Sequence, residues 1–328
     1  MTRMNHPAPR ITMAVLAYRQ SAFIDDAVRS ALGQIGEPIE IVLSDDCSPD
    51  DTYERMQALA AAYDGPHQVV VRRNERNLGI TAHYNEVMKT AKGDLVVVMA
   101  GDDISLPERV SVTAQAWEAT GHLADLLACD VIDMSFEDKD LGTLQVDDLA
   151  QWRGVEAWAR KRPYVIGAGH AVTRRLFERF GPLQPGVMEE DQVNTLRALC
   201  SGGAVTMRRA LVRYRRGGIS SGSRPGSAQD FLLQMQRKNR NYLALLRQWH
   251  ADAGIAGCTP MVESATRRTL DRETFLADLL LRTDLSGRLD AVRRAASVDI
   301  GWRLKKLLHM QFPGFSAGTR NLQDRWKP

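Results

Sequence analysis

The stretch VVVMAGDDISLPERV, residues 96–110, contains the features that decide the fold. It opens with an apolar run of strand length, places two carboxylates side by side at Asp102 and Asp103, and reaches a proline at Pro107. Proline is favoured in the first turn of a helix, and apolar residues follow it at helical spacing. The stretch therefore predicts a buried strand, an acidic loop and a helix, in that order.

The same alternation of strand and helix runs through the first 125 residues. Continuous apolar strands separated by helices are typical of a mainly parallel sheet with right-handed crossovers. We therefore predict an α/β fold in which helices flank that sheet. The predicted strands are ITMAVLA (11–17), IEIVLS (39–44), QVVVR (68–72) and DLVVVM (94–99), and the predicted helices lie in SAFIDDAVRSALGQ (21–34), after Asp50–Asp51, in ITAHYNEVMKTAK (80–92) and from Pro107.

The pattern changes in the second half of the chain. LADLLACDVIDM (123–134) predicts a strand, VEAWARKRP (155–163) a short helix, and VIGAGHAVTRRLFERFG (165–181) a strand followed by a helix. From residue 228 onward the periodicity is helical. We therefore predict two regions, 1–227 and a helical C-terminal region over 228–328.

Composition places the chain among ordinary globular proteins. Its 328 residues carry a formal net charge of +3, too small to indicate a nucleic-acid partner. The four cysteines are scattered without CxxC spacing, which argues against a zinc site or a disulfide framework. The N-terminus lacks the apolar segment of a signal peptide, and no run is long enough to span a membrane. We therefore expect a cytoplasmic protein.

Two predicted strands end on paired acids, Asp45–Asp46 and Asp102–Asp103. Ligands of parallel α/β sheets bind beyond the carboxyl ends of the strands, so both pairs are expected on one edge. Two carboxylates about 4 Å apart repel by roughly 4 kcal/mol at an effective dielectric constant near 20. Solvent, a proton, an arginine or a divalent cation would relieve this repulsion, and a cation that also binds substrate phosphates is the simplest choice at an edge that binds anions. The alternative is that the acids begin helices, where the helix dipole favours them.

These residues together resemble a known family. AVLAYRQSAFIDDAVRSALGQ, EIVLSDDCSPDDT, NERNLGITAHYNEVMKTAKGD and MAGDDISLPERV look like the nucleotide-sugar-binding half of inverting family 2 glycosyltransferases, which have the GT-A fold. The resemblance covers about residues 10–110 and resumes at GVMEEDQVNTLRALCSGG and LVRYRRGGISSGS. It implies a GT-A catalytic domain over 1–227, with nucleotide-sugar binding in 10–125 and the acceptor side in 126–227.

The resemblance also implies roles for individual residues. Five residues would contact the nucleotide or its sugar: Ala17, Tyr18, Asp45, Asp46 and Asp102. Asp103 would hold Mg²⁺ or Mn²⁺ on the diphosphate, and Asp191 with Glu190 would supply the general base. Candidate contacts to the diphosphate or the acceptor are Arg215 and His170. The donor would be a nucleoside-diphosphate sugar, with UDP or dTDP favoured because Asp45 suits a pyrimidine imide N–H. The acceptor would be a saccharide or a lipid-linked saccharide of surface polysaccharide or glycolipid assembly.

The chain departs from the family pattern at several positions. Ala100 occupies the first acidic position of the metal motif, which usually reads Asp-x-Asp-Asp. Cys47 stands where glycine is common, Glu86 where a small residue is common, and Gly217 where many members carry a histidine. The departure at Ala100 keeps open a catalytically inactive binding or scaffold protein as an alternative.

Two further alternatives follow from single motifs. A sugar nucleotidyltransferase would need a glycine-rich loop after the first strand, whereas LAYRQSAFID (16–25) has no glycine. GAGHAV (167–172) is similar to a dinucleotide fingerprint, but Val172 stands where the third glycine belongs. We therefore expect neither nucleotidyl transfer nor NAD binding.

The segment GWRLKKLLHMQF (301–312) predicts an amphipathic helix. Leu304, Leu307 and Leu308 share one face, and basic residues populate the other. Such a helix suits either peripheral contact with the inner membrane face through 300–312, or packing on the catalytic domain with a solvated basic face.

Overall fold

The structure is a computed structural model that describes residues 10–217 and 227–311. In these residues the chain divides into two compact units. The first comprises the described residues of Met1–Trp158, Arg162–Leu183 and Glu189–Ser221, and the second those of Ala159–Lys161, Gln184–Met188 and Gly222–Pro328. The first unit contains the sheet. The predicted boundary at residue 227 lies at the edge of an undescribed stretch and stays a prediction.

The first unit is built on a nine-stranded sheet. Its strands are β1 (Ile11–Ala17), β2 (Glu40–Asp45), β3 (Gln68–Arg73), β4 (Leu95–Ala100), β5 (Ile104–Ser105), β6 (Leu126–Met134), β7 (Asp140–Leu144), β8 (His170–Thr173) and β9 (Ala204–Arg215). They lie in the order β3-β2-β1-β4-β8-β6-β9-β5, with β7 paired to β6.

The sheet is parallel in one half and mixed in the other. β3, β2, β1 and β4 pair in parallel, as their continuous apolar sequences predicted. β8 then runs antiparallel to both β4 and β6, and β9 is parallel to β6. The predicted α/β fold is therefore confirmed, and the exceptions to parallel pairing fall in the strands that follow residue 100.

Helices cover the sheet and begin close to the predicted positions. They are α1 (Ile24–Leu32), α2 (Thr52–Ala61), α3 (Ile80–Thr90), α4 (Arg109–Ala119), α5 (Val155–Arg160), α6 (Arg174–Phe180) and α7 (Glu190–Leu199). Pro107 lies in a turn two residues before α4 rather than in its first turn. A 3₁₀ turn, Gly167–Gly169, leads into β8.

The second unit is helical, as predicted. It contains α8 (Ala228–Ala256), α9 (Thr259–Leu281), α10 (Leu285–Arg294) and α11 (Ile300–Gln311). A cluster of buried apolar side chains joins these helices, including Phe231, Phe275, Val292 and Leu307. None of the helices in the described ranges is long and apolar enough to cross a bilayer.

Candidate active site

The structure brings the two pairs of acids to one edge of the sheet. β1 lies between β2 and β4 and is parallel to both, with Ala17 in register with Asp45 and Leu16 in register with Ala100. Asp45 therefore ends β2, and Asp102 follows β4 by two residues at the same edge. Neighbouring strands lie about 4.8 Å apart, so the two ends are separated by roughly 10 Å.

Asp45 is fully buried and keeps one carboxylate oxygen without a partner. Its Oδ2 accepts the backbone N–H of Ser48 at 2.9 Å and lies 3.2 Å from Nε of Arg73. Its Oδ1 has no hydrogen-bond partner among the residues that the structure describes. Buried polar atoms in native proteins are nearly always hydrogen-bonded, so this oxygen fits an N–H donor supplied by a ligand.

Asp46 differs from its neighbour because both of its oxygens are engaged. Oδ1 accepts hydrogen bonds from Nδ2 of Asn74 and the backbone N–H of Leu78, and Oδ2 accepts the N–H of Gly79, at 2.7, 2.9 and 2.9 Å. These bonds hold the loop between β3 and α3. The geometry thus favours a structural role for Asp46, and its role in nucleotide binding stays a prediction.

Gln20, which the sequence analysis missed, ties the loop after β1 to the loop after β4. Its Oε1 accepts the backbone N–H of Tyr18 at 3.3 Å. Its side chain also hydrogen-bonds the carboxylate of Asp102. A Cβ atom at Gly101 would lie 2.5 Å from Oε1 of Gln20 and 3.0 Å from Cβ of Ala17, so glycine permits this close approach. No local sequence pattern distinguishes Gln20 from a surface glutamine.

Arg215 holds the Asp102–Asp103 loop rather than pointing freely into it. Its backbone N–H donates to Oδ1 of Asp103, and its Nε donates to the carbonyl of Asp102, both at 2.9 Å. Its Nη1 donates to the carbonyl of Phe136 and pairs with Asp138 at 2.6 Å. The buried guanidinium is therefore largely committed to the protein, and its predicted contact with diphosphate or acceptor stays a prediction.

Asp102 and Asp103 fit a cation. Burial raises the pKa of Asp103 to about 8, and the adjacent Asp102 adds to the shift. Burial also raises the pKa of Asp102. The described residues form no group of three or more His, Cys, Asp or Glu side chains that could hold a metal alone. Mg²⁺ usually binds through one or two carboxylates and substrate phosphates, so this pair matches a metal shared with a diphosphate.

The predicted base lies in the first turn of α7. Burial raises the pKa of Asp191 to about 6, while backbone N–H donors, Gln192 at 2.7 Å and Gly167, limit the shift. Burial and the adjacent Asp191 raise the pKa of Glu190 to about 8. The two shifts favour a single negative charge on the pair at neutral pH, with Asp191 the more acidic of the two carboxyl groups.

Helix α3 fixes the position of the helix that carries these acids. The side chain of Asn85 bonds both the N–H and the carbonyl of Leu183 at 2.9 Å. The hydroxyl of Tyr84 accepts from Nδ2 of Asn194, in α7, at 3.0 Å. Residues of the predicted nucleotide-binding half thereby set where Glu190 and Asp191 lie.

His170 is buried at the start of β8. Burial and the positive charge of Arg109 lower the pKa of His170 to about 3, so the imidazole is neutral at physiological pH. Its Nε2 has no hydrogen-bond partner in the described part of the chain. Its predicted contact with an acceptor remains a prediction, and the ring is only 3% exposed.

Comparison with known proteins identifies a matching family. The family model for "Glycosyl transferase family 2" matches residues 12–181. The succinoglycan biosynthesis protein ExoO of Rhizobium meliloti is 34% identical over 122 residues, which are 36% of this chain and 34% of ExoO. The curated relatives that the chain matches first are thus aligned over about a third of their length.

Solved structures resemble most of the chain. TarS 1–349 of S. aureus, solved in complex with UDP-GlcNAc, superposes with a TM-score of 0.54 at 14% identity, covering 93% of this chain and 92% of TarS 1–349. The mannosyltransferase PcManGT of Pyrobaculum calidifontis, solved with GDP-Man and Mn²⁺, gives 0.51 at 17% identity, covering 98% and 89%. At such identities the likeness concerns the fold, and it confirms the predicted GT-A architecture.

Proposed function

Because this chain belongs to glycosyl transferase family 2, we propose that it transfers a sugar from a nucleoside-diphosphate sugar to an acceptor hydroxyl, with inversion at the anomeric carbon. The observation that carries the proposal is the edge formed by Asp45, Asp102 and Asp103, where a buried oxygen of Asp45 has no partner in the described residues and burial raises the pKa of both adjacent carboxylates. A nucleobase bound at Asp45, together with a cation and a diphosphate at Asp102 and Asp103, would account for all three side chains.

We propose that the donor is a UDP or dTDP sugar. The imide N–H of uracil or thymine would donate to Oδ1 of Asp45, which is buried and without a partner in the described residues. Ala17 and Tyr18, where β1 ends beside Asp45, would line the base. The structural neighbours were solved with UDP-GlcNAc and GDP-Man respectively, so both kinds of nucleotide belong in the test.

We propose that Asp103, assisted by Asp102, holds Mg²⁺ or Mn²⁺. When bound, the cation would offset the charge that develops on the departing nucleoside diphosphate. Both carboxylates would then be ionised, since a nearby cation reverses the effect of burial on their pKa. Mn²⁺ in the mannosyltransferase structure supports testing that ion first.

Asp191 is the proposed general base. Its carboxylate would take the proton of the acceptor hydroxyl while that oxygen attacks the anomeric carbon and the bond to the diphosphate oxygen breaks. This single displacement inverts the anomeric centre. A pKa of about 6 leaves Asp191 ionised at neutral pH and basic enough to accept the proton. Protonated Glu190 would keep a second negative charge away from the attacking oxygen.

The proposed setting is surface polysaccharide or glycolipid assembly, at the inner face of a membrane. ExoO, by its name, belongs to succinoglycan biosynthesis, which supports a saccharide acceptor. Helix α11 exposes Ile300, Leu304 and Leu308 in one row, with Lys305 beside them, which supports peripheral contact with an anionic lipid surface. Phe312, the last residue of the predicted contact, lies outside the described residues.

A thermal-shift panel of UDP, dTDP, GDP and CMP sugars tests the donor and the metal. A ligand at 100 times its dissociation constant adds about 2.7 kcal/mol to the free energy of unfolding. We expect a UDP or dTDP sugar to raise the melting temperature with Mn²⁺ present, and Asp103→Asn to abolish that metal-dependent increase. An increase that is identical with chelator, or identical in Asp103→Asn, would contradict the metal assignment.

Asp191→Asn tests the base. We expect this variant to bind the donor as the wild type does and to lose transfer by at least about 100-fold, because amide cannot accept the hydroxyl proton. Product formation is measured against Glu118→Gln, which neutralises an exposed acid of α4. Transfer near the wild-type rate in Asp191→Asn would show that another group is the base.

A second candidate is a protein that binds nucleotide sugar without transferring it. Ala100 at the first acidic position, and the lack of a third metal-binding side chain in the described residues, favour this candidate. Slow hydrolysis of the bound donor with Mn²⁺ separates the two, because an inactive protein would bind the sugar nucleotide and release it intact.

A further inference from the structure

Arg109, the first residue of α4, has a buried guanidinium group to which the proposed reaction assigns no role. The residue is 1% exposed, and in the described residues its guanidinium is hydrogen-bonded without forming an ion pair, although the charge of Asp103 acts on it through space. An unpaired buried charge is costly unless its donors are satisfied by hydrogen bonds. Here the partners are the hydroxyl of Ser105 and three backbone carbonyls.

These carbonyls mark the point where two strands separate. β4 and β8 pair over Leu95–Val97, and the ladder stops there. One residue further along β4, Nη2 of Arg109 donates to the carbonyl of Val98 at 2.8 Å. The same nitrogen donates to the carbonyls of Ala168 and His170 at 2.7 and 3.3 Å. The guanidinium thus bridges β4 and β8 at the point where the backbone hydrogen bonds between them end.

Each of the two bridged segments leads to a proposed functional group. β4 continues from Val98 into the loop of Asp102 and Asp103. The turn Gly167–Gly169 contacts the proposed base, since the N–H of Gly167 donates to the carboxylate of Asp191. A Cβ atom at Gly167 would lie 2.7 Å from Oε1 of Glu190, so the turn packs directly against both acids.

The opposite side of the turn is equally confined. A Cβ atom at Gly169 would lie 2.7 Å from the carbonyl of Cys129 in β6. The turn is therefore held between β6 and α7, and Arg109 supplies the bonds that connect it to β4. These contacts join positions 59 and 61 residues apart in the chain, Arg109 with Ala168 and Arg109 with His170.

We propose that Arg109 is a positioning residue for sugar transfer, which fixes the Gly167–Gly169 turn, and through it the carboxylate of Asp191, relative to the Asp102–Asp103 loop. The proposal rests on the proposed function of Asp191. Misplacing a catalytic group by about 1 Å costs on the order of 100-fold in rate, so the guanidinium bridge matters more for turnover than for donor binding.

The test compares Arg109→Met and Arg109→Lys with the control Gln34→Met. Gln34 also secures the start of α4, through the carbonyl of Leu106 and the N–H of Val110, but makes no bond to the turn. Hydrogen exchange is measured at residues 167–170 of the full chain without ligand. We expect about tenfold faster exchange there in Arg109→Met than in the control, because local opening follows the lost bonds.

Kinetics supply the second readout. We expect Arg109→Met to lower kcat by about 100-fold with donor KM within about threefold, and Arg109→Lys to recover part of kcat. In Arg109→Met the N–H of Gly167, which lowers the pKa of Asp191, is displaced, while Glu189, Glu190 and Tyr164 still face Asp191. The pKa of Asp191 should therefore rise, and the acidic limb of the plot of kcat against pH should move to higher pH. A purely structural arginine would lower stability without moving this limb.

Exchange and kcat within twofold of Gln34→Met would overturn the positioning role. If Arg109→Met does not fold, Arg109→Lys decides by the same two measurements. The proposed base is judged separately, by transfer in Asp191→Asn with Arg109 intact. A wild-type rate there refutes the base, whereas unchanged exchange at the turn refutes the role of Arg109.

Discussion

At the scale of single residues, Asp45 and Asp46 are adjacent carboxylates with different partners. Asp45 keeps Oδ1 without a partner in the described chain, whereas Asp46 accepts three hydrogen bonds from residues 74–79. A sequence gives both residues equal standing as nucleotide ligands. The distinction arises from the loop after β3, whose N–H groups reach only one of the two side chains.

Replacing Asp46 by asparagine tests this distinction. Asp46→Asn would turn an amide N–H toward the N–H of Gly79, which leaves a buried donor unsatisfied and costs about 1–3 kcal/mol. We expect chemical denaturation to show that loss. Under conditions where both variants are fully folded, we expect the affinity for the sugar nucleotide to fall less in Asp46→Asn than in Asp45→Asn. The reverse ranking of affinities would make Asp46 the nucleotide ligand.

Cys47 has a left-handed backbone, with φ of 58°. That conformation explains why glycine is common at this position in the family, since a side chain there costs roughly 1–2 kcal/mol. The greater entropy of glycine in the unfolded chain offsets part of this relief, so we expect Cys47→Gly to raise the free energy of unfolding by a net of about 0.5–1 kcal/mol. Cys47→Ala keeps a Cβ atom and serves as the control. Equal stability of the two variants would contradict the argument.

At the scale of elements, the sequence predicted the strands and helices whose burial is continuous. β1, β2 and β4 are buried along almost their whole length, and α1 has one clear apolar face, so local pattern sufficed. β9 was missed because Ala204–Arg215 mixes buried apolar residues with arginines and lacks the continuous apolar run of β4. Its pairing with β6 and β5 depends on partners that local pattern does not reveal.

The candidate site divides in the same way. The acids at the ends of β2 and β4 were identified from sequence, because parallel strands place their carboxyl ends on one edge. Gln20 and Arg109 were not, because their roles come from contacts with Asp102 and Ala168, which are distant in the chain. The commitment of Arg215 to Asp138 and Phe136 was also not predictable, since both partners lie in a turn before β7.

Helix α11 packs one side within the helical unit and leaves apolar residues exposed on another, so both alternatives from its sequence stay open. Leu307 is buried, but Ile300, Leu304 and Leu308 are 52%, 45% and 57% exposed. Trp302 packs on Phe275 with ring centroids 5.9 Å apart, so its ring belongs to the packed side of the helix. The exposed face is therefore apolar with Lys305 at its side, a combination that suits anionic lipid.

Sedimentation with anionic vesicles tests this face. We expect the double variant Leu304→Asp, Leu308→Asp to reduce vesicle binding at least about tenfold, since burial of each leucine contributes about 1.5 kcal/mol or more. Leu233→Asp changes a leucine of α8 that is 56% exposed and is the matched control. Equal binding by both variants, or equal binding to neutral vesicles by the wild type, would exclude this membrane contact.

At the scale of the whole molecule, the buried acids and histidines make stability depend on pH in opposite directions. Burial lowers the pKa of His83 to about 4 and of His170 to about 3, so the unfolded chain binds more protons at these residues below about pH 6.5. Burial raises the pKa of Asp103 and Glu190 to about 8, so the folded chain binds more protons at these residues up to that pH. The histidines therefore make stability rise with pH, and the acids make it fall.

Above about pH 6.5 the acids dominate, because the histidines become neutral in both states and offset only a small part of the change. The slope of the unfolding free energy with pH equals 2.303RT times the protons bound in the unfolded state minus those bound in the folded state, and this difference is negative here. We expect the free energy of unfolding of the ligand-free protein to fall by about 2 kcal/mol between pH 6.5 and pH 8.

Urea denaturation at these pH values measures the change in the free energy of unfolding. Glu190→Gln should reduce the loss, Glu118→Gln should not, and Mn²⁺ with nucleotide should reduce it by favouring ionised Asp103. A stability that rises through this window would mean that the acids at the sheet edge and on α7 are ionised without a cation, and the electrostatic case for a shared metal and diphosphate would then fail.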